Sequence, residues 1–202
     1  MRTAPVMNKT DMAMFLYNQA VSLIEKQYLS QAVELLQLAV EYDTTNAMAW
    51  NLLGLCLYLE GRLETARNSW LSGVSLEEGG EKAARYLKAM EANHFREYLL
   101  RFNRCIGYVN ENRFIKALLE LLPALETVPN VAGFNLAGLL FYKIGLRREA
   151  FVMWQKALQL DLTNKSAIHY LAAGREGRWP VFLERAAGGV LLRAGKYKYK
   201  FL

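Results

Sequence analysis

Few side chains in this sequence are able to do covalent or metal chemistry. Its 202 residues include two histidines, His94 and His169, and two cysteines, Cys56 and Cys105. A zinc site takes about four nitrogen, sulfur or oxygen ligands, but the chain has no HExxH, no CxxC and no paired Cys/His spacing. Gly195-Lys196 lacks both the upstream glycine and the following Ser or Thr of a phosphate-binding loop. The reading is therefore no metal, no cofactor and no enzyme. Two cysteines cannot build a disulfide framework; they read as buried, inert thiols in a reducing compartment. What recurs instead is amide and aromatic chemistry: Asn51 and Asn135, Tyr58 and Tyr142. An asparagine amide offers two donors and an acceptor, so it can hold a peptide backbone in either sense. Tyrosine adds rigid contact area with a polar tip. That chemistry is recognition.

A second candidate is electrostatic. Lys and Arg number 25 against 19 Asp and Glu, a formal charge of +6. Residues 1–164 carry 17 basic and 17 acidic side chains, whereas residues 165–202 carry 8 and 2. The excess is thus a property of one end, and it includes Arg193, Lys196, Lys198 and Lys200. The last residues, Lys196 to Leu202, alternate basic with aromatic. Extended, they would place Tyr197, Tyr199 and Phe201 on one face. A segment spanning 175–202 could therefore touch nucleic acid or an anionic membrane surface, weakly, since each phosphate contact is small and salt-sensitive; the alternative is a solvated, frayed end. The first residues hold no apolar core of a leader peptide. The longest apolar stretch, Phe134 to Tyr142, is well short of the roughly 18 residues of a membrane span. The expectation is a soluble, cytoplasmic protein.

The elements that position these residues come from internal repetition. Residues 49–70 superpose on 133–154: Asn51 on Asn135, Gly54 on Gly138, Tyr58 on Tyr142, Gly61 on Gly145, Ala66 on Ala150 and Trp70 on Trp154, all at an offset of 84. A shorter period runs inside it. Small residues recur at Ala32, Ala66, Ala117 and Ala150, with gaps of 34, 51 and 33. Each is followed four residues later by a large apolar one (Leu36, Trp70, Leu121, Trp154) and preceded by a small one twelve earlier (Ala20, Gly54, Cys105, Gly138). Spacings of three and four lie on one helix face, and small residues let helix backbones approach closely.

Trp50…Leu53-Gly54…Gly61…Ala66…Trp70 and Phe134…Ala137-Gly138…Gly145…Ala150…Trp154 resemble the tetratricopeptide-repeat (TPR) family, of the stand-alone bacterial kind. The resemblance implies an all-α, right-handed superhelix with extra helices after repeats two and four. As one solenoid over 1–202, it would comprise repeats 13–46 and 47–80, an insert helix 81–97, repeats 98–131 and 131–164, an insert 165–180, and a cap helix with the basic tail over 181–202. Trp50, Trp70 and Trp154 are expected in the core, and Pro123 is expected to kink its helix or start a new turn.

In such a fold the first helices line a concave groove. The resemblance therefore implies a non-catalytic adaptor or scaffold that takes a partner peptide or helix against Tyr17, Asn18, Asn51, Leu55, Tyr58, Phe102, Asn103, Asn135, Leu139 and Tyr142. The alternative for the asparagines is that they bond neighbouring helices. Some family members clamp a chaperone's terminal carboxylate with Lys, Asn and Arg; here the equivalent places hold Tyr17, Val21, Leu52, Leu99 and Asn103, so that clamp is absent. Self-association, as for an imperfectly capped array, is also open.

Overall fold

A computed structural model of the chain describes residues 8–76 and 79–175. The insert beyond Arg175, the cap helix 181–202 and the basic residues Arg193, Lys196, Lys198 and Lys200 lie outside the described residues. The chain divides into two compact units, one ending at Lys88 and the other beginning at Ala89.

Five helices build the first unit: α1 (Lys9–Glu25), α2 (Leu29–Tyr42), α3 (Ala47–Glu60), α4 (Leu63–Val74) and α5 (Gly80–Met90), whose last turn crosses the boundary. The second unit holds α6 (Asn93–Asn110), α7 (Phe114–Thr127), α8 (Val131–Lys143), α9 (Arg147–Leu160) and α10 (Lys165–Arg175). Among the described residues there is no strand. Helices pair in sequence order, α1 with α2, α3 with α4, α6 with α7 and α8 with α9, and α2 packs on α3 as α7 packs on α8. Each pair is a hairpin that buries one apolar face and needs a neighbour for the other.

All four hairpins turn in the same way. Gln27 (φ 60°), Gly61 (φ 89°), Asn112 (φ 56°) and Gly145 (φ 84°) occupy the left-handed region, each five residues before Ala32, Ala66, Ala117 and Ala150. The following amide closes the helix end: Tyr28 N–H donates to the Leu23 carbonyl, Arg62 to Leu57, Arg113 to Tyr108 and Leu146 to Phe141, at 2.8 to 2.9 Å. Two turns use glycine and two do not, so the left-handed conformation follows from the hairpin. Glycine only lowers its cost.

Inside each pair the small residue meets the large one. Gly54 lies so close under the Trp70 indole, and Gly138 under that of Trp154, that a Cβ would overlap the ring. Where the first helix carries Ala20 or Cys105 instead, the second helix carries Leu36 or Leu121 at the equivalent place, and all four are fully buried. Bulk is thus traded between facing positions at nearly constant sum. Trp70 and Trp154 are core residues as expected. Trp50 is only half-buried, because its indole N–H turns outward to the Thr44 carbonyl at 2.9 Å. Helix α7 runs unbroken through Pro123. Pro123 and Leu119, the residue whose carbonyl loses its partner, are both exposed, and no new helix starts there.

The repeated turn gives two expectations. Asn112→Gly should raise the unfolding free energy by about 0.5–1 kcal/mol. Gly145→Ala, where an added Cβ meets nothing within 4 Å, should lower it by about 1 kcal/mol through backbone strain alone. Gly138→Ala should cost about 2–3 kcal/mol, because the indole must move. Urea melts of the three variants would rank them; a neutral Gly138→Ala would contradict the close Gly–Trp packing.

Candidate functional site

The expected recognition residues separate into three environments. Asn51 and Asn135 are 6% and 9% exposed, and their side chains are engaged within the molecule. The Asn51 amide donates to the Gly79 carbonyl at 3.0 Å, immediately before α5. The Asn135 amide donates to the Asn164 side-chain oxygen at 3.0 Å, and that same oxygen caps α10 by accepting from Ala167 N–H at 2.9 Å. Each asparagine therefore fastens the start of the helix that follows its pair. Phe102 and Leu139 are buried as well, at 8% and 2% exposed. Tyr17, Leu55, Tyr58, Asn103 and Tyr142 are half-buried and Asn18 is exposed.

The indoles complete the fastening. Trp70 Nε1–H donates to the Asn51 backbone carbonyl at 3.2 Å, and Trp154 Nε1–H to that of Asn135 at 3.3 Å. Tyr86 of α5 stacks on Trp70 with centroids 5.0 Å apart, and Tyr170 of α10 tilts against Trp154 at 5.2 Å. One asparagine and one tryptophan thus anchor α5 in the first unit, and their copies anchor α10 in the second. The side-chain oxygens of Asn51, Asn103 and Asn135 are buried and accept no hydrogen bond from the described residues. A buried acceptor without a donor costs about 1–3 kcal/mol; for Asn51 and Asn135 the bonds their amides donate work against that cost.

Sequence reasoning passed over the caps. Asp43 and Asp161 each accept from the backbone N–H and the hydroxyl of the residue two on, Thr45 and Thr163. Asn46 and Asn164 then cap α3 and α10. The recurring Asp-x-Thr-Asn of 43–46 and 161–164 was the available signal. Asn130 was missed too: it caps α8 through Gly133 N–H at 2.8 Å and donates to the Tyr98 hydroxyl of α6 at 3.0 Å.

Burial pushes the Cys56 thiol up to about 12, with Glu60 nearby adding to the effect, and the Cys105 thiol up to about 12, with Glu120 adding to it. Burial also raises the Tyr58 hydroxyl, and that of Tyr170 against a lowering hydrogen bond from Ser166. Among the described residues no three of His, Cys, Asp and Glu are grouped to hold a metal ion, and no helix is long and apolar enough to cross a membrane.

Hairpins that pack a glycine under an indole, turn through a left-handed residue at a fixed offset and stack in sequence order make the tetratricopeptide-repeat fold, and the chain is a helical-repeat protein of that fold. No protein-family model matches it, and no curated protein does. Among solved structures it is similar to YrrB, "a TPR protein with an unusual peptide-binding site", at 21% identity and a TM-score of 0.36 over 79% of this chain and 92% of that one. It is similar to the TPR domain of P58(IPK) at 18% identity and a TM-score of 0.43, covering 92% of this chain and 60% of that one. A third is pilF of Pseudomonas aeruginosa, at 16% identity and a TM-score of 0.35 over 93% and 78%.

The anchoring predicts that Asn51→Ala lowers the unfolding free energy by about 1–2 kcal/mol, the net worth of a partly buried hydrogen bond and its packing. Calorimetry of that variant checks it. The thiols predict a second outcome. Their folded values of about 12 lie above the ordinary 9.0, so at pH 8 the folded protein holds roughly a thousandfold less thiolate than the unfolded chain. Ellman's reagent should therefore titrate both cysteines only in denaturant. Because the folded values are raised, the stabilisation is complete below pH 9 and is lost as pH climbs from 9 toward 12.

Proposed function

We propose that the chain is a non-catalytic protein-interaction module and that its docking surface is the outer face of α3, extended by α1. The observation that carries this reading is the composition of α3. Of its residues 47–60, only Asn51 and Glu60 bear strongly polar side chains. Packing against α2 and α4 buries Ala49, Leu53, Cys56 and Leu57. Met48 is left exposed, and Leu52, Leu55, Tyr58 and Leu59 half-exposed. A helix that is apolar on every side is stable where every side is covered. On α1 the surroundings match: Met14 and Phe15 are exposed, and Tyr17 and Val21 half-exposed, beside the polar Asn18.

A mostly apolar face with two tyrosine hydroxyls and an exposed amide suits an amphipathic helix or an extended segment with apolar anchors. With Asn51 spent on holding α5, recognition on this surface falls to Tyr17, Asn18, Leu55 and Tyr58. A photo-crosslinking residue at Leu55 or Tyr17 should join the same protein in native extract, while one at the exposed Gln155 of α9 should not. Equal crosslinking from all three positions would overturn the reading. Leu55→Lys should abolish the crosslink from Tyr17 and leave the melting temperature within a few degrees, since Leu55 is only half-buried.

A further inference from the structure

The outer face of α7 differs from that of every other second helix. Two residues before and two after the packing alanine, α2 presents Ser30 and Glu34, α4 presents Glu64 and Asn68, and α9 presents Arg148 and Val152. Helix α7 presents Ile115 and Leu119, at 64% and 67% exposed the most open large hydrophobic residues among those described. Leu122 and the exposed Pro123 continue the same stripe. Ile115 also borders a shallow depression with Phe114 and Ile144. Apolar residues spaced by three and four make one face, and no described element covers this one.

Charge frames the stripe asymmetrically. Lys116 lies on it toward the N-terminal end and Glu126 toward the C-terminal end, ten residues or about 15 Å apart. Both are exposed, and neither forms an ion pair among the described residues. The Lys116 amine sits 6.0 Å from the Tyr108 ring centre, at the outer limit of a cation–π contact. By contrast, the charges off the stripe are used: Arg113 pairs with Glu111, and Arg101 and Arg104 pair with Glu120.

A basic end, an apolar middle and an acidic end on one straight stripe are complementary to the same stripe reversed. The geometry points to a second copy of this chain as the occupant: α7 packs antiparallel on α7 about a two-fold axis near Leu121. Leu119 then meets the Pro123 and Leu122 of the other copy, and Lys116 meets its Glu126 at both ends. A parallel arrangement would set Lys116 on Lys116 and leave the apolar residues in register with like charges at both ends. Self-complementarity of one patch under a two-fold is what an isologous dimer requires. This face is separate from the α1 and α3 surface, so the inference stands or falls independently of that reading.

The test is sedimentation equilibrium of the full chain, up to about 100 μM so as to cover weak as well as tight dimers. The wild-type protein should be a dimer in equilibrium with monomer. Leu119→Glu should weaken the dimer at least about tenfold, as for a central apolar contact. Lys116→Glu should weaken it severalfold by setting Glu on Glu, and adding Glu126→Lys should restore it. Circular dichroism and melting of each variant should match the wild type, since all three side chains are exposed. A wild type monomeric throughout, a dimer indifferent to Leu119→Glu, or a double variant no better than Lys116→Glu would each overturn the proposal.

Discussion

The structure depends on an indole laid against a helix backbone. In each of the two best-matched hairpins a glycine removes the one atom that would hold the second helix away, and a tryptophan fills the space created. The indole N–H reaches a carbonyl that already serves the first helix, which is allowed because a carbonyl oxygen has two lone pairs. A tyrosine from the next helix packs against the same ring. One side chain thereby links three helices, and the asparagine three residues before the glycine ties the entry to the third. In the other two hairpins Ala20 with Leu36, and Cys105 with Leu121, are fully buried at the equivalent positions.

This anchoring constrains what is left for recognition. The amide side chains at the centres of α3 and α8 are the most versatile hydrogen-bonding groups on the first helices. Both are buried and committed, each donating to a group just ahead of the next helix, the Gly79 carbonyl or the Asn164 side-chain oxygen. On α3 more apolar surface stays open than on α8, where Phe134, Leu136, Leu139 and Leu140 are all buried. The buried thiols belong to the same packing: each occupies a place where a small apolar side chain suffices, and burial holds it protonated.

Much of the fold was legible beforehand. The alanine spacing located the second helices, and the residues twelve earlier located the first. Less legible were features decided by polar geometry. Gln27 and Asn112 gave no glycine signal, yet the hairpin imposes a left-handed residue there. Pro123 read as a kink or the start of a new turn, and α7 continues through it from Phe114 to Thr127. Trp50 read as core by its family position, while its indole N–H is drawn outward by a loop carbonyl.

The sequence by itself determined the helices, their pairing and the positions of closest approach, because periodicity and residue size act locally and repeat with the chain. It also determined that the body through residue 164 is charge-balanced. Only the tertiary structure decided which polar side chains of the first helices stay accessible. Asn51 and Tyr58 lie seven residues apart on one helix, yet one is buried against the start of α5 and the other stays half-exposed. A hydrogen bond spanning 28 residues leaves no trace in local spacing, since it depends on where a later loop comes to rest.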